Sequence, residues 1–110
     1  MQKADALYLR HILDAIEKIS RLTQGKDEQS FVSDEAVYNA SLYLLAVIGE
    51  AVGNLSEEFK QEHPEIPWQN IKDMRNLLIH EYFGVSGSMV WKTIQERLTE
   101  LEEVVRNALR

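Results

Sequence analysis

The amino-acid sequence predicts an all-α fold, a bundle of four helices with short connections. Only five Gly and two Pro occur in 110 residues, so long stretches lack the residues that usually interrupt helices. Apolar residues make up 45% of the chain and charged residues 27%, which is typical of a folded globular protein. A chain of this length is expected to form one compact domain, which we place at residues 1–110.

The first half of the chain predicts two helices. Apolar residues from Leu7 to Leu22 recur at three- and four-residue steps and predict a helix over roughly residues 3–23. The polar, Gly-containing run at residues 23–30 predicts a loop. Ser33 or Asp34 can cap the second helix, which we expect to continue on a broad apolar stripe to about Glu62.

The second half predicts two more helices. The prolines in residues 63–67 disfavour a helical conformation at the residue before each of them, so the second helix should stop there. The third helix is expected to begin near Pro67 and to run through residues 68–83. After a turn at residues 84–88, a fourth helix is expected from about Ser88 to Leu109.

Two glycines lie one turn apart in the second predicted helix. Gly49 and Gly53 lack side chains, which allows another backbone to approach closely, despite a cost of about 1 kcal/mol relative to Ala. Close helix packing or a dimer contact would explain them.

Charge and composition exclude several classes of protein. The net charge of −6 argues against a broad basic nucleic-acid-binding face, so any nucleic-acid chemistry needs a small local site. The absence of Cys rules out disulfides and thiolate metal sites and permits a cytoplasmic location. The N-terminal region is charged throughout, and no window reaches about 18 apolar residues, so we expect neither a signal peptide nor a membrane span.

The chemically informative segment is the end of the third predicted helix. With Arg75 at zero on a helical wheel, Tyr82 falls at about −20°, Asn76 at about 100° and His80 at about 140°. Asn76 and His80 are thus one turn apart and can share a ligand. Arg75 and His80 meet at one phosphate only if Arg75 reaches around the helix, the helix ends near His80, or a second protomer contributes its own copy.

These residue types suit phosphodiester cleavage in RNA. The imidazole of His80 can accept or deliver a proton near neutral pH. The guanidinium of Arg75 can stabilise a phosphorane-like transition state, and Asn76 can orient the imidazole or the phosphate. Neither a metal nor another cofactor is required. On spacing alone, however, an Arg and a His near a helix end are more often a solvated face.

The surrounding sequence resembles a known family. The stretch IPWQNIKDMRNLLIHEYFGVSGSMVW, residues 66–91, resembles the signature of the HepT-like HEPN domains, in which Arg, a polar residue and three others precede His-x-Tyr. Arg75, Asn76, His80 and Tyr82 fill its positions. The stretch IGEAVGNL, residues 48–55, resembles the second helix of that family.

The resemblance implies a fold, an activity and partners. It implies a four- to five-helix up-and-down bundle, and a homodimer with its cleft at the interface. The implied activity is that of a metal-independent endoribonuclease toxin of a type VII-like toxin–antitoxin system, acting on RNA such as tRNA or mRNA. The implied antitoxin is an MntA-like nucleotidyltransferase that adenylylates Tyr82. Glu81 departs from the family pattern, and we expect a carboxylate beside His80 to weaken the binding of an anionic substrate.

Several alternatives remain open at this point. The chain could instead be a non-catalytic nucleotide- or substrate-binding subunit of a small nucleotidyltransferase, or a purely structural dimer. Glu50 could form a salt bridge with Arg75 or face solvent. The two tryptophans, Trp68 and Trp91, are expected to be core or interface anchors rather than base-stacking residues.

Overall fold

The computed structural model describes residues 1–81 and 84–110, and within them it contains helices, turns and loops but no strand. The all-α fold is therefore confirmed. The helices are α1 (Lys3–Thr23), α2 (Glu28–Ser33), α3 (Glu35–Gly53), α4 (Glu57–Glu62), α5 (Trp68–His80), α6 (Gly87–Lys92) and α7 (Leu98–Leu109), with a π-helical segment, Thr93–Arg97, between the last two.

The core forms around α1 and α3. Helix α3 packs against both α1 and α5, and α1 also packs against α7. The first helix has the predicted bounds, and its predicted apolar residues are buried from Ile12 to Ile19, but Leu7 is exposed. Burial of one such Leu or Ile side chain contributes about 1.5–3 kcal/mol, so the contact between α1 and α3 holds the bundle together.

The predicted loop at residues 23–30 is only partly correct, because α2 begins within it. Gly25 adopts a φ of 78°, a left-handed conformation that suits glycine, and turns the chain after α1. Asp27 and Ser30 then form reciprocal side-chain to backbone hydrogen bonds, a capping box that starts α2. As predicted for one of two candidates, Asp34 caps α3, since its carboxylate accepts from the Val37 N–H at 3.1 Å.

The prediction that the second helix continues to about Glu62 is wrong. Helix α3 ends at Gly53, and α4 starts separately after Ser56. The Ser56 backbone N–H donates to the buried Asp5 carboxylate at 2.8 Å, and the Ser56 hydroxyl donates to it at 2.7 Å. A continuous helix would direct that N–H to a carbonyl four residues earlier, so this contact with α1 breaks the helix.

The third and fourth helices have nearly the predicted starts. Pro67 is the N-cap of α5. The helix ends at His80 and Glu81 is its C-cap, so the predicted continuation of this helix is wrong at Glu81; Tyr82 and Phe83 lie outside the described residues. The region predicted as the fourth helix starts with α6 at Gly87. It follows Ser86, whose hydroxyl accepts from the Met89 N–H at 3.3 Å. The sequence did not predict the π-helical segment within it.

Helix α3 is long and apolar enough to cross a membrane by length and composition alone. Its position in the bundle gives another reason for this composition, because it contacts helices on two sides. The core helix of a globular protein passes the same test, so its composition gives only weak support for a membrane span.

Candidate functional site

Arg75 lies at a close contact between α5 and α3. A Cβ atom placed on Gly49 would overlap the Cβ of Arg75 and would lie 3.2 Å from the carbonyl oxygen of Ile71. The predicted close packing is therefore confirmed at Gly49. At Gly53, a Cβ would meet no atom within 4 Å, so close helix packing within the protomer does not explain that glycine.

The guanidinium of Arg75 is held at both terminal nitrogens. Nη2 forms an ion pair with Glu50 Oε2 at 2.7 Å, and Nη1 donates to Asn76 Oδ1 at 2.8 Å. Nε is buried and has no hydrogen-bond partner among the residues that the structure describes. The Arg75 side chain is 30% exposed and that of Glu50 is 60% exposed. Of the two alternatives for Glu50, the structure shows the salt bridge.

The structure separates Arg75 from His80 within one protomer. Asn76 and His80 are both exposed, and Asn76 accepts from Arg75; no side-chain hydrogen bond joins it to His80 within residues 1–81 and 84–110. Five residues of helix correspond to about 7.5 Å along the axis and about 140° around it. Helix α5 does end at His80, which is one of the three arrangements considered from the sequence. Tyr82 lies outside the described residues.

A cleft of about 260 Å³ lies beside Arg75, between α3 and α5. Its walls include Gly49 and Gly53, which leave space, and Lys72, which adds a second cation. Sequence reasoning did not single out Lys72, although its position one turn before Asn76 was a usable signal. In the described part of the chain, no group of three or more His, Asp or Glu side chains could hold a metal ion.

A second cavity of about 360 Å³ lies between α5 and the last helical segments. Ile71, Met74 and Met89 are among its mainly apolar lining residues. Met89 is 44% exposed, and Ile79, which precedes His80 on α5, is 49% exposed. Contiguous exposed apolar patches, rather than single apolar side chains, are typical of a surface that contacts another protein.

The other residues considered from the sequence have structural surroundings. The indole N–H of Trp68 donates to the carbonyl oxygens of Lys60 and His63, and the ring of Trp91 packs 5.2 Å from that of Phe31. Both tryptophans are partly buried against the core, as predicted.

Comparison with known proteins identifies the family. The model of the family described as ribonuclease HepT-like matches residues 12–108, a range that includes Glu50, Arg75 and His80. The chain belongs to the HepT-like ribonuclease family. This membership confirms the resemblance found in the sequence and assigns the chain a ribonuclease-type function at the level of the family.

Individual relatives agree with this assignment. The chain is 42% identical over 102 residues to a candidate RNase of Caldanaerobacter subterraneus subsp. tengcongensis, covering 93% of this chain and 91% of that protein. It is 39% identical over 102 residues to a candidate ribonuclease HepT of Thermococcus cleftensis, covering 93% of each. A protein of Methanocaldococcus jannaschii, named as a gamma-glutamylcyclotransferase and candidate RNase, is 35% identical over 96% of this chain and 47% of its own length. No solved structure gives a significant match.

Proposed function

We propose that this HepT-like protein is a metal-independent endoribonuclease and the toxin of a toxin–antitoxin pair, with Arg75, Asn76 and His80 at its reaction centre. One observation carries the proposal. The guanidinium of Arg75 is fixed at the edge of a cleft, on the same helix that ends at His80, within the segment that matches the family. A fixed cation at a cleft suits stabilisation of charge that develops on a phosphate.

The reaction needs a base and an acid. The RNA 2′-hydroxyl would lose its proton to an imidazole and attack the adjacent phosphorus, so that a P–O bond forms while the bond to the 5′-oxygen breaks. A second proton then goes to the leaving 5′-oxygen, which gives a 2′,3′-cyclic phosphate and a free 5′-hydroxyl. Two copies of His80 across a two-fold axis would supply the base and the acid, and two copies of Arg75 would flank the phosphate.

Cleavage of an RNA oligonucleotide in EDTA tests this proposal. His80→Ala should lower kcat about 100-fold or more, because a general acid–base group contributes roughly that much. Arg75→Ala should cost about 100-fold, as loss of one transition-state donor does. A single 2′-deoxy nucleotide at the cut site should block cleavage there.

The matched control is Arg106→Ala. Arg106 also pairs with carboxylates, those of Glu17 and Glu102, but on another face of the bundle. This variant should cleave like the wild type. Full activity of the His80 variant would refute the role of His80 in the reaction centre. No RNA cleavage by the wild type would refute the ribonuclease proposal and favour a non-catalytic binding subunit.

We also propose that the protein is a homodimer across the face that carries Ile79, His80 and Met89. The support is the exposure of two large apolar side chains, Ile79 next to His80 on α5 and Met89 at the edge of a largely apolar cavity. A stable interface buries about 800 Å² on each protomer, with apolar residues at its centre. Ile79→Glu should therefore give a monomer in light scattering and should lose RNA cleavage. A dimeric, active Ile79→Glu variant would refute this interface.

The proposed off switch is adenylylation of Tyr82 by an MntA-like nucleotidyltransferase. The phenol oxygen would attack the α-phosphorus of ATP, with release of pyrophosphate. The support is the position of Tyr82 two residues after His80, where an added phosphate would carry negative charge close to the anionic substrate. Intact mass after co-expression should show one adenylyl group, absent in Tyr82→Phe. Unmodified, inactive protein in the complex would contradict this mode of regulation.

A further inference from the structure

Glu50 is the residue outside the Arg75–His80 segment that most directly contacts the proposed reaction centre. It lies on α3, 25 positions before Arg75 in the sequence, and its carboxylate is 2.7 Å from Arg75 Nη2. A carboxylate here is at first sight unfavourable, because it repels an RNA phosphate that approaches the same guanidinium. An ion pair of this exposure also contributes little to folding stability.

The geometry around Arg75 indicates a different role for this carboxylate. The close approach at Gly49 fixes the start of the Arg75 side chain against α3, and its Nε is buried. Nη2 then forms an ion pair with Glu50, while Asn76 accepts a hydrogen bond from Nη1. Close contacts to oxygen atoms at both terminal nitrogens restrict the plane of a guanidinium, whereas a contact at one nitrogen leaves it freer to rotate.

We propose that Glu50 is a positioning residue, which together with Asn76 fixes the guanidinium plane of Arg75 so that its remaining N–H donors point to the scissile phosphate. Each terminal nitrogen carries two N–H groups, so one donor on each stays available after the two observed contacts. Preorganised donors stabilise a transition state without having to reorient during the reaction. This role rests on the proposed ribonuclease function.

Three substitutions separate positioning from charge. Glu50→Gln keeps an oxygen acceptor without the negative charge, whereas Glu50→Ala removes both. In steady-state cleavage of an RNA oligonucleotide in EDTA, Glu50→Ala should lower kcat about 10- to 100-fold, the loss that a displaced catalytic group causes, with KM changed less than about threefold. Glu50→Gln should restore kcat to within about threefold of the wild type. Glu17→Gln, which alters an ion pair with Arg106 elsewhere, should have no effect.

Each result has a defined meaning. Higher activity of Glu50→Ala would show that Glu50 is an inhibitory counter-ion of Arg75, and unchanged activity would show a surface ion pair without a role. Equal losses in the Gln and Ala variants would show that the charge is needed rather than the acceptor. All three outcomes overturn the proposal.

A measurement that needs no activity distinguishes this proposal from the ribonuclease proposal. In ¹H–¹⁵N spectra at low temperature, a fixed guanidinium gives separate Nη signals, whereas a rotating one gives an averaged signal. Separate Arg75 signals in the wild type and the Gln variant, but averaged ones in the Ala variant, support positioning. Averaged signals in the wild type overturn it. Absence of RNA cleavage by the wild type would instead refute the ribonuclease proposal.

Discussion

Replacement of Gly49 by Ala tests the contact that places Arg75. The new Cβ would overlap the Cβ of Arg75 and crowd the Ile71 carbonyl oxygen, and neither atom can move without its helix. Overpacking of this kind costs about 1–3 kcal/mol. Replacing a helical Gly by Ala offsets up to about 1 kcal/mol of that cost. Gly49→Ala should therefore lower the free energy of unfolding by about 0–2 kcal/mol.

Gly53→Ala is the matched control. Gly53 lies one turn later on α3, and a Cβ there would meet no atom within 4 Å, so this variant gains helix propensity without the steric cost. Urea unfolding of both variants at one protein concentration should show Gly49→Ala to be less stable than Gly53→Ala by about 1–3 kcal/mol. Equal stabilities would refute the close contact between α3 and α5, and with it the argument for how Arg75 is held.

Three further predictions concern stability and binding. Burial by itself raises the pKa of Asp5, but the hydrogen bonds from the side chain and backbone of Ser56 outweigh it and lower the pKa below its ordinary value of 3.8. The stabilisation from Asp5 is therefore present above that unfolded pKa and is lost as the pH falls through the lower folded value. Asp5→Asn should remove this loss of stability from a plot of urea midpoint against pH. An unchanged plot would contradict the assignment to Asp5. Ser41 is fully buried, and its hydroxyl has no hydrogen-bond partner in the described part of the chain. Ser41→Ala should therefore raise the free energy of unfolding by about 1 kcal/mol in urea denaturation. A loss of stability would show that the hydroxyl has a hydrogen-bond partner. If Lys72 and Arg75 are the two phosphate contacts of each protomer, the proposed dimer makes four such contacts. The logarithm of the RNA binding constant should then fall with the logarithm of salt concentration with a slope of about −2.8 in fluorescence anisotropy, and a slope several times steeper would reveal an extended basic surface.

The sequence predicted the helices where the apolar pattern is strong and local. The bounds of α1 and the start of α6 follow from periodicity and turn residues, which act over a few positions. The break between α3 and α4 could not be found in this way, because its cause is a hydrogen bond from Ser56 to Asp5, 51 residues earlier. The capping signals of Asp27 and Ser56 were present in the sequence and could have located the two short helices.

The same distinction applies to the candidate site. The spacing of Arg75, Asn76 and His80 on one helix could be worked out from the sequence, including the offset of Arg75 from His80. The contact between Asn76 and Arg75 was not expected, because adjacent residues on a helix do not normally face each other. It forms because Glu50 and the close approach at Gly49 direct the arginine along the helix surface. Glu50 and Gly49 lie on α3, whereas Arg75 and Asn76 lie on α5. Residue spacing within α5 therefore cannot predict the contact between Asn76 and Arg75.

The arrangement around Arg75 also resolves how a chain with a net charge of −6 can act on RNA. At physiological salt, exposed charges more than about 8 Å apart are largely screened, so the field at the cleft depends on nearby groups rather than on the total. Lys72 and Arg75 lie at the cleft, opposed there by Glu50 alone among the acidic residues that line it. In the proposed positioning role, Glu50→Gln keeps the oxygen beside Arg75 and should preserve kcat, whereas Glu50→Ala removes it and should lower kcat. A local site of this kind needs an oriented cation more than a basic surface.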